Sequence, residues 1–91
     1  LTTNHLLVEL PVPQEFIGKS LLELNLRANY NVNVIAIQGK RKLVTEQGDN
    51  EEELYINDVP KAENVIREGD VLVIIGDEKS INQISQQNSP Y

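Results

Sequence analysis

The stretch that decides the fold runs from residue 66 to residue 81 and reads IREGDVLVIIGDEKSI. Its apolar part, Asp70 to Gly76, contains the run VLVIIG, which is rich in β-branched residues and apolar on both faces. Such a pattern is typical of a strand that is covered on both sides. We therefore expect a central strand with a helix on one side and a second subunit on the other.

Acidic residues and glycines stand at both ends of this strand. Gly69 permits a tight turn into the strand, and Gly76 predicts a sharp exit from it. Asp77 is placed to cap a helix that begins near Glu78. A phosphate-binding turn would need a glycine-rich GxGxxG loop after the strand, whereas this turn has one glycine followed by two acidic residues. The turn is therefore predicted to be scaffold.

Two further elements are predicted upstream. The segment HLLVELPV, residues 5–12, alternates in hydrophobicity and predicts a first strand. Ser20 and Glu23 then have the spacing of a capping box, which satisfies free amides at the start of a helix. We expect that helix to run from about Leu21 to Asn29 and to pack on a sheet through a broad apolar face that includes Leu22.

The middle of the chain predicts a hairpin. Two extended stretches, Val32 to Ile37 and Lys42 to Glu46, are joined by a predicted turn at Gly39 with three basic residues at its tip. Those basic residues are predicted to be solvated, and contact with a phosphate or an anionic membrane is the alternative. After a solvated acidic loop, the segment LYIN predicts a short strand with Leu54 and Ile56 turned inward.

Length and composition set the limits of the molecule. The chain has 91 residues, which predicts a single domain over residues 1–91, with a core over about 5–85 and a disordered tail over 86–91. It begins at Leu1 without a methionine, and we expect it to be a fragment of a longer polypeptide. No apolar run approaches the roughly 20 residues of a membrane span.

Several function classes find no support in the residues. The formal charge of −6 disfavours nucleic acid as a partner, because phosphate neutralisation by cations supplies most of that affinity. The absence of cysteine excludes disulfides, thiol catalysis and cysteine-bound zinc. His5, the only histidine, lacks an acid-base constellation, so no catalytic residue is assigned. The acidic run from Asp49 to Glu53 lacks the ligand order of a calcium loop and is predicted to be solvated.

Two motifs, in this order, resemble a known family. They are GKSLLEL with the continuation R-x-x-Y-x-V-x-V-x-A-I, residues 18–37, and GDVLVIIGD, residues 69–77. Over about residues 5–85 the chain resembles the TrkA-C or RCK-C regulatory domain of potassium-uptake and related cation-transport proteins. The resemblance implies an α+β fold with a small, mostly antiparallel sheet and two helices, which dimerises.

The resemblance also bears on Arg27, at the end of the first predicted helix. From the residues alone, its guanidinium either caps terminal carbonyls or presents a fork to a phosphate. Several family members bind cyclic di-AMP across the dimer axis. By that resemblance the ligand-binding residues are Leu21, Leu22, Asn25, Arg27, Asn33 and Val34. The two leucines would contact adenine, the arginine would meet phosphate, and the last two would hydrogen-bond to and pack on the base. Asn25 stands where an acidic residue is favourable in the ligand-binding members.

The resemblance implies a ligand-sensing, dimerising regulatory domain of a potassium or related cation transport system in the cytoplasm. Its partners would be a second copy of the chain and either a membrane transporter subunit or a covalently linked transmembrane domain. No enzyme activity, cofactor or metal is expected, and cyclic di-AMP is the candidate ligand. The alternative is a purely structural dimerisation module of a cation or anion transporter that binds no small molecule.

Overall fold

Four strands form one antiparallel sheet, and short helices pack on one of its faces, in a computed structural model that describes residues 4–86. The chain order is β1 (His5–Pro11), a 3-10 helix (Gln14–Phe16), α1 (Leu21–Leu24), α2 (Leu26–Tyr30), β2 (Val32–Val44), β3 (Asn50–Asn57), β4 (Val71–Asp77) and α3 (Glu78–Gln86). The order across the sheet is β1-β4-β2-β3, and every neighbouring pair is antiparallel. The predicted α+β class is confirmed.

β4 is a central strand, as its sequence predicts. Leu72 and Ile74 are fully buried against the helices, whereas Val73 on the opposite face is half-buried. The predicted helix cap is also present, because the Ser80 backbone N–H donates to Asp77 Oδ1 at 2.7 Å. Ile84 on α3 is fully buried and packs in the same core.

The two glycines that flank β4 have different roles. Gly69 has φ +86°, so it makes the left-handed turn that the sequence predicts. The prediction of a sharp exit at Gly76 is wrong, since β4 continues through it to Asp77. A Cβ at residue 76 would lie 2.7 Å from Val32 Cγ1, so glycine is needed there for the close approach of two central strands.

The first predicted helix is broken. The capping box is present, with the Glu23 N–H donating to Ser20 Oγ and the Ser20 N–H donating to Glu23 Oε1, each at 3.1 Å. At Asn25, however, the backbone is left-handed, with φ 43° and ψ 57°. The break separates α1 from α2 and allows both Leu24 and Leu26 to be buried. Leu22 is 72% exposed, so its predicted place on the apolar face is wrong.

The predicted turn at Gly39 is wrong, because β2 runs without interruption through Gly39 to Val44. The chain reverses after β2, where the Thr45 N–H donates to the Asp49 carbonyl at 2.8 Å. The basic residues lie within β2 and are paired in register with the acidic start of β3, for example Lys42 with Glu52. The opposite charges favour that register. The acidic segment that the sequence predicts to be a loop is therefore the start of β3.

The outer part of this hairpin extends beyond the rest of the sheet. The last pair between β2 and β4 is Gln38 with Val71, and we call the residues beyond it, 39–55, the arm. The inward orientation predicted for two β3 residues is wrong, since Leu54 is 75% and Ile56 is 64% exposed. Among the described residues of β2 the last member of the core is Ile37, so both β3 side chains lie beyond the packed core. The predicted tail falls mainly on residues 87–91, which lie outside the described residues.

Candidate ligand-binding site

A cavity of about 470 Å³ lies where the broken helix meets the start of β2. Five apolar and three polar residues line it, namely Leu21, Asn25, Leu26, Arg27, Val32, Asn33, Val34 and Ala62. Five of the six residues that the family resemblance implies therefore surround one space, and Leu22 is the one outside it. Leu26, Val32 and Ala62 are lining residues that the sequence analysis missed.

The two polar ends of the cavity are joined by a hydrogen bond. Arg27 Nε–H donates to Asn33 Oδ1 at 3.0 Å, and both residues are exposed. Between them the chain turns at Asn31, which is left-handed with φ 57° and whose N–H donates to the Arg27 carbonyl. Within residues 4–86 the Arg27 side chain makes no bond to a helix carbonyl. Its remaining N–H groups are therefore free to meet an acceptor in the cavity.

Asn25 shapes the cavity through its backbone. A left-handed conformation is strained for most residues and is best tolerated by glycine and asparagine. No capping hydrogen bond forms from the Asn25 side chain, and the residue is exposed at the cavity wall. The asparagine thus has a conformational role at this position.

Carboxylates with a lowered pKa belong to helix caps and lie outside this cavity. The Ser20 backbone N–H, which donates to Glu23, is the main cause that lowers the pKa of the Glu23 carboxyl. The Ser80 backbone N–H lowers the pKa of Asp77 in the same way. In residues 4–86 no group of three His, Cys, Asp or Glu side chains is placed to hold a metal ion. These groups serve helix formation.

A larger cavity of about 550 Å³ lies along α3 and is lined by Glu78, Lys79, Asn82 and Gln83. All four are exposed polar residues of a single helix. Among the described side chains no apolar one lines the space, and ligand sites are predominantly apolar with few polar groups. The cavity beside Arg27 is therefore the better candidate.

The sheet face opposite the helices carries exposed apolar side chains and is uncovered within the described residues. Leu7, on this face of β1, is 63% exposed, and its partner Ile75 on β4 is half-buried. Ile75 is in turn paired with Asn33 on β2, so these three residues form one row across the sheet. Through Asn33 the candidate cavity adjoins this open face.

Comparisons with known proteins match this fold and this sequence. The TrkA-C domain family matches residues 6–87. The Ktr system potassium uptake protein C of Bacillus subtilis (strain 168) is 31% identical over 96% of this chain, and protein A of that system is 32% identical over 96%. The chain spans about a third of the length of these relatives, 34% and 33% respectively. Among residues 4–86 no helix has the length and apolar character to cross a membrane.

Solved structures agree with the assignment. The RCK C domain of the potassium transport protein KtrA, in complex with cyclic diadenosine monophosphate, superposes with a TM-score of 0.67 at 26% identity. The alignment covers 90% of this chain and 81% of that one. The GsuK RCK domain has a TM-score of 0.64 at 22% identity, covers 93% of this chain and 16% of its own, and supports the fold alone. Domains of this family are regulatory and not catalytic. The chain belongs to the TrkA-C, or RCK-C, family of regulatory domains.

Proposed function

We propose that this chain is a single, ligand-sensing regulatory domain of a potassium uptake system, that it dimerises, and that it binds cyclic di-AMP at the subunit interface. The observation that carries the proposal is the Arg27–Asn33 hydrogen bond at the wall of the cavity. The KtrA RCK C domain, whose fold this chain shares, forms a complex with cyclic di-AMP, and the curated relatives are potassium uptake proteins.

The cavity offers chemistry that suits a cyclic dinucleotide. Arg27 is oriented through Nε by Asn33, which leaves its terminal nitrogens for a phosphate oxygen. Leu21 and Val34 are half-buried and provide apolar walls for adenine. Asn25 supplies an amide for the edge of the base. A charged fork and two apolar walls together match a ligand that alternates phosphates with bases.

Leu22 makes the proposed site depend on a second subunit. It is 72% exposed and lies outside the cavity of its own chain. An adenine held by Leu21 can reach Leu22 only if that leucine belongs to a partner copy or if the base extends beyond the cavity. In the proposed dimer, Leu22 of the partner subunit would complete the set of six residues.

The open sheet face is where we expect the second copy to bind. Its row Leu7–Ile75–Asn33 adjoins the cavity, and covering it would bury apolar surface that a small domain leaves exposed. Light scattering after size exclusion should give a dimer for the natural chain and a monomer for Leu7→Glu. Val59→Glu is the matched control, because Val59 is 66% exposed on the connection outside the sheet. A monomeric natural chain would contradict the proposed interface.

In this proposal the ligand acts by shifting a conformational equilibrium. Cyclic di-AMP would stabilise one arrangement of two subunits by its greater affinity for that arrangement. The change would pass to a membrane transporter subunit or to a covalently linked transmembrane domain, with the regulatory domain in the cytoplasm. No covalent chemistry is required.

Calorimetry with cyclic di-AMP tests the ligand. We expect Arg27→Ala to weaken binding by about 1.5–3 kcal/mol, the value of a hydrogen bond to a charged group. Lys19→Ala, which removes an exposed cation elsewhere, should leave the affinity unchanged. Asn25→Asp tests the base contact, since tighter binding indicates an amino group donating to the carboxylate and weaker binding indicates repulsion from phosphate. No heat up to about 1 mM ligand would favour the purely structural dimerisation module.

A further inference from the structure

Beneath the arm, two cavities meet at the same three side chains. One, of about 380 Å³, is lined by Lys40, Arg41, Lys42, Tyr55, Arg67, Glu68 and Asp70. The other, also about 380 Å³, is lined by Ile37, Arg41, Tyr55, Ile56, Asn57, Asn64, Val65 and Arg67. Arg41, Tyr55 and Arg67 line both, so the two cavities adjoin at these three residues. This region lies at the opposite end of β2 from Arg27.

Arg41 is held by an aromatic ring instead of a carboxylate. Its Cζ lies 4.6 Å from the centroid of the Tyr55 ring, within the range of a cation–π interaction. Glu53 is directly opposite Arg41 in the strand register, yet the two side chains form no ion pair within 4.0 Å. A cation–π contact leaves the in-plane N–H groups of a guanidinium available for an acceptor.

The position of the Tyr55 ring depends on the glycine opposite it in the strand register. Gly39 is its partner in the register, and a Cβ at residue 39 would lie 2.6 Å from Tyr55 Cε1. The ring therefore lies against the β2 backbone, where a side chain would otherwise stand. This packing explains why a glycine lies in the interior of a strand. It also holds in place the Tyr55 ring that Arg41 contacts.

Arg67, the second arginine, begins a turn that is held by two hydrogen bonds. The Arg67 backbone N–H donates to Asp70 Oδ2 at 2.9 Å, and the Asp70 N–H donates to the Arg67 carbonyl at 3.1 Å. Ile66, which precedes it, is fully buried. The Arg67 backbone is thus anchored on both sides while its side chain is exposed and lines the cavities.

The charges at this place are unusual for an acidic chain. Among residues 4–86 the one ion pair within 4.0 Å joins Lys40 and Glu52, so neither Arg41 nor Arg67 is neutralised by a carboxylate. Lys40 and Lys42 line only the first cavity, beside Glu68 and Asp70, and they are not counted as ligand donors. The carboxylates nearby are Glu53, Glu68 and Asp70, and Asp70 already accepts from a backbone N–H.

We propose that Arg41 and Arg67 form a second binding site, for a small phosphate-type oxyanion such as a diphosphate group. Planar guanidinium groups match phosphate oxygens through paired hydrogen bonds, and two of them suit a group with several oxygens. The adjoining cavities leave room for the rest of the ligand on either side. Glu68 and Asp70 line the first cavity and oppose an anion there, so the anion is placed in the second, whose described lining contains both arginines and no carboxylate.

Nuclear magnetic resonance of the 91-residue chain can test this site directly. Inorganic pyrophosphate is titrated at constant ionic strength against sodium chloride, and the arginine Nε–H signals are followed. We expect saturable shifts at Arg41 and Arg67, with affinity at least about tenfold weaker in Arg41→Gln and in Arg67→Gln. Lys79→Gln, which removes one exposed positive charge on α3, should bind as the natural chain does.

Three results would overturn the proposal. They are shifts that do not saturate by about 10 mM pyrophosphate, equal weakening by Lys79→Gln, and unchanged affinity in both arginine variants. Arg41→Lys keeps the positive charge at this position but removes the planar guanidinium group. Retained affinity in this variant would also count against binding by two guanidinium groups. The Arg27 Nε–H signal, followed in the same spectra, keeps this site distinct from the proposed cyclic di-AMP site.

Discussion

β2 passes through two regions of the molecule, and they differ in what covers them. In the inner half, Val32 is 1% and Ile37 is 3% exposed, because the helices and β4 pack against them. In the arm, Leu43 is 38% and Val44 is 72% exposed on the same strand. Both halves contain β-branched residues in strand conformation. The comparison shows that the apolar pattern selects a strand, whereas the elements stacked on it determine burial.

The two regions are also held by different forces. The inner region depends on apolar burial around Leu72 and Ile74. The arm depends on paired backbone groups and on exposed contacts such as Arg41 over Tyr55. Exposed ion pairs contribute only about 0–1 kcal/mol, so the arm should open locally at lower free energy than β4.

The largest expected effect on stability comes from truncating one buried side chain of the core. Ile74→Ala removes a fully buried side chain of β4 and should lower the free energy of unfolding by about 2–5 kcal/mol. Leu54→Ala, in the arm at 75% exposure, should change it by less than about 0.5 kcal/mol. Urea denaturation of both variants measures the difference. Equal midpoints would show that the arm is buried in solution.

The next effect concerns glycines in the two regions. Gly76→Ala places a Cβ against the buried Val32 side chain and should cost about 1–3 kcal/mol. Gly39→Ala places its Cβ 2.6 Å from Tyr55 Cε1 and 2.7 Å from Oδ1 of the buried Asp70. The half-buried ring can move outward, but the Asp70 carboxylate accepts from a backbone N–H and is held in place, so we expect a loss of about the same size. Thermal denaturation of the pair compares the two losses. A clearly smaller loss for Gly39→Ala would contradict the constraint assigned to Asp70.

A smaller effect is expected from side-chain oxygens that accept backbone N–H groups. Ser20→Ala removes the capping box of α1 and should cost about 1 kcal/mol. Thr45→Ala removes the 3.0 Å hydrogen bond from the Asp49 N–H at the arm turn, and we expect a loss of no more than a few tenths of a kcal/mol there. Chemical denaturation measures both variants. Hydrogen exchange at Asp49 should nevertheless increase, and an unchanged rate would contradict the role given to Thr45.

The smallest effect is on pH dependence. The pKa of Asp77 is lowered from its ordinary 3.8, mainly by the Ser80 N–H, so its stabilisation is present above 3.8 and is lost as pH falls through the lower folded value. Asp77→Asn should therefore be less stable than the natural chain at neutral pH, with the gap closing below pH 3.8. Urea midpoints across this range measure it. Glu15→Gln, at an exposed position, serves as the control. If the stability difference between Asp77→Asn and the natural chain grew as the pH fell, the pH dependence assigned to Asp77 would be wrong.

Local chemistry was enough to predict several parts of the structure. The capping box at Ser20, the cap at Asp77 and the left-handed turn at Gly69 depend on neighbours within a few residues. The strand character of β4 was also predictable, because a run rich in β-branched residues suits a strand, and the structure places that strand between β1 and β2. The family motifs identified five residues that line one cavity.

The failures have physical causes of longer range. Gly39 predicts a turn because glycine is common in turns, yet its role is to accommodate the ring of Tyr55 on the neighbouring strand. Asn25 lies within a helical apolar pattern, and the break there was signalled only by the tolerance of asparagine for positive φ. The arm was misjudged because acidic residues that indicate a loop in isolation form strand when a basic strand lies beside them.

The amino-acid sequence by itself determined the strands β1 and β4, the helix caps and the family, since these follow from residue neighbours and from the order of motifs. Only the tertiary structure decided which apolar residues are covered, as Ile37 and Leu54 show. It also decided which charged groups are left without a partner, and hence that Arg27 meets Asn33 and Arg41 lies on Tyr55. Burial and pairing depend on atoms from distant parts of the chain, and those distances are set when the sheet assembles.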